Sequence, residues 1–233
     1  MKRLLPVAAA LLGACGSGTD ADPAPPAGPP RQPGIALAVL VDVSGSMAGN
    51  VRDAGGGESS KISIARRAVM SLLRKTDDFA RRNPSQTLAV GIYEFSAAPG
   101  RDPCRAVVAL GKLDLKAAEA AVGRMSPTGD TPIGDAMDRG KKDLDGAGLA
   151  MSHLLVVTDG ENTSGRMPGD VARAFAALPA EHRPALYFIA FDIEASKFRE
   201  VREAGGLVLP AADEKQLSET LDVILGEKIL LEK

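Results

Sequence analysis

The sequence is poor in the residues on which most zinc sites, disulfide frameworks and histidine-based active sites depend. Its 233 residues include no tryptophan, only two cysteines (Cys15 and Cys104) and only two histidines (His153 and His182). Two cysteines are too few for a disulfide framework or a cysteine-ligated zinc site, and two histidines leave little for histidine-based catalysis. Because no histidine lies in a catalytic sequence context, Cys104 is predicted to be a packed residue rather than a nucleophile.

The sequence also lacks an excess of charge of either sign. It has 28 Lys and Arg residues against 30 Asp and Glu residues, which gives a formal net charge of -2. Without a broad electropositive surface, nucleic acid is not expected as a partner. The chain is 45% hydrophobic and 25% charged, as in ordinary globular proteins, and its length favours one folded domain.

Signature motifs of common enzyme classes are missing as well. The sequence has no G-x-S-x-G, no G-x-x-x-x-G-K-[ST], no H-E-x-x-H, and no G-x-G-x-x-G after a predicted strand. We therefore predict that the protein is not an enzyme.

The N-terminus resembles the export signal of a bacterial lipoprotein. Lys2 and Arg3 precede an apolar run at residues 4–12, which is too short to span a bilayer as an anchor. The Leu-Gly-Ala-Cys sequence that follows resembles a lipobox, which implies removal of residues 1–14 and lipidation of Cys15. The next residue is Gly and not Asp, which implies retention in the outer membrane of a cell with two membranes. The alternative is ordinary secretory cleavage that leaves Cys15 as a free thiol.

Residues 15–34 are predicted to be the lipidated cysteine followed by a tether. Six prolines occur there together with Gly, Ala and Asp, and no apolar periodicity is present. This composition favours extended polyproline II structure. The tether would lead into a folded domain at residues 35–226, with residues 227–233 as a C-terminal tail or the end of the last helix.

After residue 34, apolar runs alternate with amphipathic stretches. Nearly continuous apolar runs, which are typical of parallel strands covered on both faces, occupy residues 35–41, 87–95, 153–158 and 185–191. Helical spacing is found at residues 61–82, 115–125, 132–144, 171–178, 196–204 and after Asp213. The pattern predicts a doubly wound α/β fold, with a mostly parallel central sheet, helices on both faces and a short antiparallel edge strand at residues 106–110.

Oxygen-bearing side chains follow the first predicted strand. Asp42, Ser44 and Ser46 are spaced by two residues, at a position where open α/β sheets bind ligands. Such hard donors suit Mg²⁺ or Mn²⁺ and do not suit zinc. Taken alone, the pattern also fits ordinary turn and cap residues.

Two further segments carry matching donors. Asp159 follows the predicted strand 153–158. If this strand is parallel to the first one, Asp159 would lie at the same end of the sheet as Asp42. Thr131 precedes Pro132, which is suited to the first position of a helix. Thr131 is therefore either another oxygen donor or a helix N-cap.

Together these segments resemble a von Willebrand factor type A (VWA) domain with a metal-ion-dependent adhesion site. The matching motifs are D-x-S-x-S at residues 42–46, T-P-x-G-x-A-M at residues 131–137 and T-D-G at residues 158–160. The resemblance covers residues 35–226 and implies a Rossmann-like VWA fold.

The resemblance also implies a ligand set for Mg²⁺ or Mn²⁺. It makes Ser44, Ser46 and Thr131 direct ligands, with Asp42 and Asp159 often acting through water. The implied partner is a protein whose exposed Glu or Asp carboxylate completes the coordination of the ion.

Neighbouring residues have less specific predictions. Asp130 and Glu161 flank the ligand positions and either contact metal-bound water or are plain turn residues. Residues 48–60, with four glycines, are predicted to be a flexible loop that borders the metal face. The basic residues of the stretch 61–82, including Lys61, are predicted to form a solvated helix face.

The sequence thus predicts an exported protein of the bacterial cell envelope that binds a protein partner through a divalent metal. Its membrane contact is the lipid anchor alone. One alternative is an envelope scaffold or assembly protein that binds independently of metal. A metal-assisted hydrolase is less favoured, because no motif places a Lys or His base beside the loops.

Overall fold

The computed structural model of the protein describes residues 31–231. The predicted signal peptide, Cys15 and the tether up to residue 30 lie outside the described residues. The strands are β1 (Gln32–Asp42), β2 (Asn50–Arg52), β3 (Glu58–Ser60), β4 (Leu88–Phe95), β5 (Cys104–Gly111), β6 (Leu149–Thr158), β7 (Ala185–Phe191) and β8 (Leu207–Ala211). The α-helices are α1 (Lys61–Arg82), α2 (Leu115–Val122), α3 (Ile133–Ala147), α4 (Pro168–Ala176), α5 (Arg199–Glu203) and α6 (Glu214–Val223).

Six of the strands form one sheet in the order β5-β4-β1-β6-β7-β8. All neighbouring pairs run parallel except β4 and β5, which are antiparallel. The predicted doubly wound α/β fold is confirmed, and the predicted antiparallel edge strand is β5. Because β1 lies inside the sheet, the residues after it emerge between two neighbouring strands.

Helices cover both faces of β1, which explains its unbroken apolar sequence. Leu37 and Val39 belong to one hydrophobic cluster, which also contains residues of α1 and α6. Ala38 and Leu40 belong to a second cluster, built largely with α3 and α4. Side chains of successive strand residues point to opposite faces, so every residue from 35 to 41 is buried.

Arg31 holds the amino end of β1 in place. Its guanidinium donates hydrogen bonds to Leu149 O and Ser152 Oγ, each at 3.1 Å, and to Asp145 Oδ1 at 2.7 Å. Only 10% of the Arg31 side chain is exposed. Arg31 therefore lies at the amino ends of the parallel strands, and Asp42 lies at the opposite end of β1.

Residues 48–60 are not the flexible loop that their glycines predicted. They contain β2 and β3, which pair as an antiparallel hairpin. Asp53 closes the turn by accepting hydrogen bonds from two glycine N–H groups, at 3.0 and 2.9 Å. The backbone N–H of Ala54 donates to Glu214 Oε2 at 2.9 Å. The bond from Ala54 ties the hairpin to α6.

The C-terminal part of the sheet also differs from the prediction. Strand β8 was not predicted, because it is short and contains Pro210. Proline is tolerated there because β8 is an edge strand, where a missing N–H leaves no partner unsatisfied. The predicted helix 196–204 is divided into a 3₁₀ turn, Ala195–Phe198, and α5. Helix α6 continues as a π-helical segment, Ile224–Ile229, so residues 227–229 form the end of the last helix, one of the two possibilities weighed for the C-terminal residues.

Cys104 is packed in the core, as predicted. The residue is 2% exposed at the start of β5. Burial raises the pKa of its thiol to about 12, so the thiol stays protonated at neutral pH. A protonated, buried thiol is a poor nucleophile.

The buried His153 of β6 predicts a pH-dependent stability. Burial lowers the pKa of His153 to about 4, from 6.5, so the unfolded chain binds a proton between these values while the folded chain does not. The contribution of neutral His153 to the free energy of unfolding is therefore fully present above pH 6.5 and is lost as the pH falls towards 4. Relative to a His153→Gln variant, we expect the wild type to lose about 2 kcal/mol between pH 8 and pH 5. Urea denaturation of both proteins at each pH measures this difference, and equal losses would contradict it.

Candidate metal centre

The parallel pairing of β1 and β6 brings two of the predicted segments together. Val41 pairs with Val157, so the strands end side by side with Asp42 next to Thr158. The Thr158 hydroxyl donates a 2.6 Å hydrogen bond to Asp42 Oδ2, and both residues are fully buried. Asp159 therefore emerges beside the loop that follows Asp42.

The first loop is tightly turned. The backbone N–H of Ser44 donates to Asp42 Oδ1 at 2.7 Å, and a 3₁₀ turn, Gly45–Ala48, follows. The Ser44 and Ser46 hydroxyl oxygens lie 3.1 Å apart. Buried Met47 anchors the turn in the core, which directs Ser46 outward to the exposed surface at the carboxyl ends of β1 and β6. This surface, with the loops that carry Asp42, Thr131 and Asp159, is called the rim below.

The third predicted segment is hydrogen-bonded to the first loop. Gly45 N donates to Gly129 O at 3.0 Å, and Thr128 N donates to Val43 O at 2.7 Å. An added Cβ on Gly160 would lie 3.6 Å from both Ser46 Oγ and Thr131 Oγ1. The two hydroxyls therefore border the same small volume.

Asp159 connects the loops directly. Its Oδ1 accepts a 2.6 Å hydrogen bond from the Ser46 hydroxyl. With the contacts of Asp42, Ser44 and Thr131, this bond shows that all five predicted ligand residues lie at one rim.

Thr131 is not the N-cap of helix α3. Helix α3 begins at Ile133, and its N-cap position, Pro132, makes no side-chain cap. Instead, the Asn162 carboxamide oxygen accepts from Ile133 N at 2.8 Å. The backbone N–H of Thr131 donates to Thr163 Oγ1 at 2.8 Å. The Thr131 hydroxyl is thus not used for capping.

The carboxyl group of Asp42 is in an unusual electrostatic environment. Burial raises the pKa of Asp42 to about 6, although hydrogen bonds from Ser44 and Thr158 act in the opposite direction. A nearby cation would favour its ionised form, because opposite charges lower a carboxyl pKa.

Lys61 and Asp192 are part of the rim and were not predicted there. The Lys61 ammonium donates to Asp159 Oδ2 at 2.9 Å and lies 2.8 Å from Asp192 Oδ2. Burial lowers the pKa of Lys61, but its bonds to Asp192 and Asp159 outweigh burial, and the pKa is raised. The prediction that Lys61 belongs to a solvated face is wrong. Asp192 could have been found, because it directly follows β7 as Asp42 ends β1 and Asp159 follows β6.

The two flanking residues have other contacts. The backbone of Asp130 pairs with Ala97 through two 2.9 Å hydrogen bonds, which hold the loop before Thr131 against the end of β4. Glu161 forms an exposed 2.8 Å ion pair with Lys197. Their proposed contacts with metal-bound water stay a prediction.

The donor set fits a hard divalent cation. It consists of three hydroxyls and two carboxylates, which suit Mg²⁺ or Mn²⁺. Among residues 31–231, no group of three or more His, Cys, Asp or Glu side chains is arranged to hold a metal. A metal at this rim would therefore depend on the hydroxyls of Ser44, Ser46 and Thr131.

Comparison with solved structures finds proteins with the same fold. A von Willebrand factor type A protein from Catenulispora acidiphila is 22% identical, with a TM-score of 0.59, and the match covers 81% of this chain and 41% of that chain. The PilB minor pilin from Streptococcus sanguinis is 15% identical, with a TM-score of 0.62, covering 86% and 62%. The pilus adhesin SpaC from Lactobacillus rhamnosus GG is 15% identical, with a TM-score of 0.60, covering 83% and 30%. The chain has a VWA fold.

At these identities the likeness shows the VWA fold alone. The chain spans less than two thirds of the length of each of these three proteins. No protein-family model and no curated protein matches the sequence. The shared fold does not by itself assign a function to this chain.

The close approach of Gly129 to Ala97 predicts that its substitution disturbs the rim. Gly129 has φ +71°, and an added Cβ would lie 2.1 Å from Ala97 O. Gly100 is a matched control, because it has φ +74° and no atom within 4 Å of an added Cβ. We expect Gly129→Ala to lower the free energy of unfolding by about 2 kcal/mol more than Gly100→Ala does. Chemical denaturation measures both, and equal effects would contradict the steric argument.

Proposed function

We propose that the protein binds a protein partner through Mg²⁺ or Mn²⁺ held by Asp42, Ser44, Ser46, Thr131 and Asp159. The main support is that three hydroxyls and two carboxylates from three separate segments converge at one rim. A Glu or Asp carboxylate on the partner surface would complete the coordination. The known VWA fold supplies an open rim for such docking, since strand ends border a crevice there.

The hydrogen bonds of each residue suggest its role. Both oxygens of Asp42 accept hydrogen bonds within the domain, as do both oxygens of Asp159, so we assign these carboxylates to contact through water. Ser44, Ser46 and Thr131 supply the direct contacts. When bound, the ion supplies an electrophilic site for an anionic oxygen, because the groups that would contact it directly are neutral hydroxyls.

We further propose that the protein acts in the bacterial envelope, anchored at the outer membrane through lipid on Cys15. Among residues 31–231, no helix combines the length and apolar character that a membrane crossing requires. Two structurally similar proteins are named as a minor pilin and a pilus adhesin, which is consistent with a protein-binding role at a cell surface.

The competing proposals have less support. A scaffold that binds independently of metal would not need the three hydroxyls to converge. A metal-assisted hydrolase would need a free base at the rim. Lys61 is paired there with Asp159 and Asp192, which hold it in its protonated form. His153 is buried inside β6, and His182 contacts Arg31 at the opposite end of the sheet, at 3.0 Å.

A metal that binds the folded state is expected to stabilise it. At a Mg²⁺ or Mn²⁺ concentration of about 100 times the dissociation constant, the free energy of unfolding should rise by about 2.7 kcal/mol. The melting temperature would then rise by roughly 5 °C. Because the chain has no tryptophan, circular dichroism is the suitable probe.

The matched variants are Asp42→Ala and Asp222→Ala. Asp222 is an exposed residue of α6 that pairs with Lys75, away from the rim. The metal-induced rise should disappear in Asp42→Ala and persist in Asp222→Ala. A wild type that melts identically with EDTA and with millimolar metal would count against the proposal.

Partner binding should require both the metal and the Thr131 hydroxyl. We expect binding of envelope proteins to immobilised wild-type protein to be lost in EDTA and restored by added Mn²⁺. A Thr131→Ala variant should bind at least tenfold less, because one direct donor is removed. Binding that survives EDTA would instead support the scaffold alternative.

A further inference from the structure

A lysine ammonium group lies within the rim of the candidate metal centre. Lys61 contacts one carboxylate oxygen of Asp159 at 2.9 Å and one of Asp192 at 2.8 Å. Its side chain is 12% exposed, so the charge is largely removed from water. The other oxygen of Asp159 accepts the hydrogen bond from Ser46. The lysine and a predicted metal ligand therefore share one carboxylate.

The backbone fixes Lys61 at this place. It is the first residue of α1, and its N–H donates to Gly49 O at 2.8 Å, directly after the turn that carries Ser46. A cation at a helix N-terminus is unfavourable, because the helix dipole places positive charge there. The position therefore costs stability unless nearby carboxylates offset it.

Asp192 provides one of these carboxylates and is itself conformationally unusual. Among residues 31–231 it is the one non-glycine residue with positive φ, 53°. Its backbone N–H donates to Ala211 O at 2.8 Å, which holds it at the end of β7. Strained backbone of this kind persists where the surrounding structure enforces it, and it clusters at functional sites.

We propose that Lys61 is a built-in counter-charge that sets the divalent-metal affinity of the rim and keeps the centre able to accept a partner's carboxylate. This inference rests on the proposed function. Asp42, Asp159 and Asp192 together carry three negative charges when ionised, and Lys61 reduces their sum to two, the charge of one divalent cation. Without Lys61 the loaded centre would be net negative and would repel an incoming carboxylate.

A counter-charge role for Lys61 and a purely structural ion pair have different consequences. In the metal-free protein, loss of the ammonium leaves Asp159 and Asp192 uncompensated, so the melting temperature should fall. With metal present, loss of the same charge removes a repulsion, so the ion should bind more tightly. A structural role alone would lower stability without tightening metal binding.

The test is calorimetric titration of the full chain with Mn²⁺, together with melting in EDTA. For Lys61→Met we expect a Mn²⁺ dissociation constant about tenfold lower than in the wild type, since a unit charge in contact with a ligand carboxylate shifts ion affinity by that order. Lys197→Met is the matched control. It removes a lysine that pairs with Glu161 at 2.8 Å on the exposed side of the same rim. Its dissociation constant should stay within about twofold of the wild-type value.

Asp192→Asn provides an independent arm if Lys61→Met folds poorly. It removes one negative charge without altering a predicted ligand, and asparagine tolerates positive φ. We expect its Mn²⁺ dissociation constant to rise by about tenfold. An unchanged constant in Lys61→Met or in Asp192→Asn, with metal binding by the wild type, overturns this inference alone. Absence of Mn²⁺ binding by every protein overturns the proposed function as well.

Discussion

The parallel register between β1 and β6 is the constraint on which the candidate site depends. Because Val41 pairs with Val157, the two strands end at the same level, and the buried Thr158 hydroxyl reaches Asp42. A shift by one residue would turn every side chain of β1 to the opposite face. The apolar cores on both faces therefore fix the positions of Asp42 and Asp159.

Charge compensation is the second constraint, and it is local. Asp42 is stabilised in a buried site by the Ser44 N–H and the Thr158 hydroxyl. Asp159 receives the Ser46 hydroxyl and the Lys61 ammonium. Buried carboxylates are costly unless hydrogen-bonded or paired, so the stability of the rim depends on these four contacts.

Features that depend on local sequence pattern could be predicted from the sequence, and features that depend on tertiary contacts could not. Unbroken apolar runs predicted β1, β4, β6 and β7, because buried parallel strands need apolar side chains on both faces. The rim positions of Asp42 and Asp159 could be predicted because each residue stands at the carboxyl end of a predicted strand. Lys61 was missed because a helical pattern cannot show that its first residue turns towards Asp159. The hairpin of residues 48–60 was missed because its strands have only three residues each and its contact with α6, between Ala54 and Glu214, joins residues far apart in sequence.

The positions of Arg31 and the rim determine how a pulling force would pass through the domain. The chain joins the fold at the amino end of β1, and Asp42 ends the same strand. A pull between Arg31 and the loop after Asp42 would act along β1. That strand is hydrogen-bonded to β4 on one side and β6 on the other. A force applied between the two ends of β1 would be carried by the covalent backbone of the strand, so neither of these ladders would have to break.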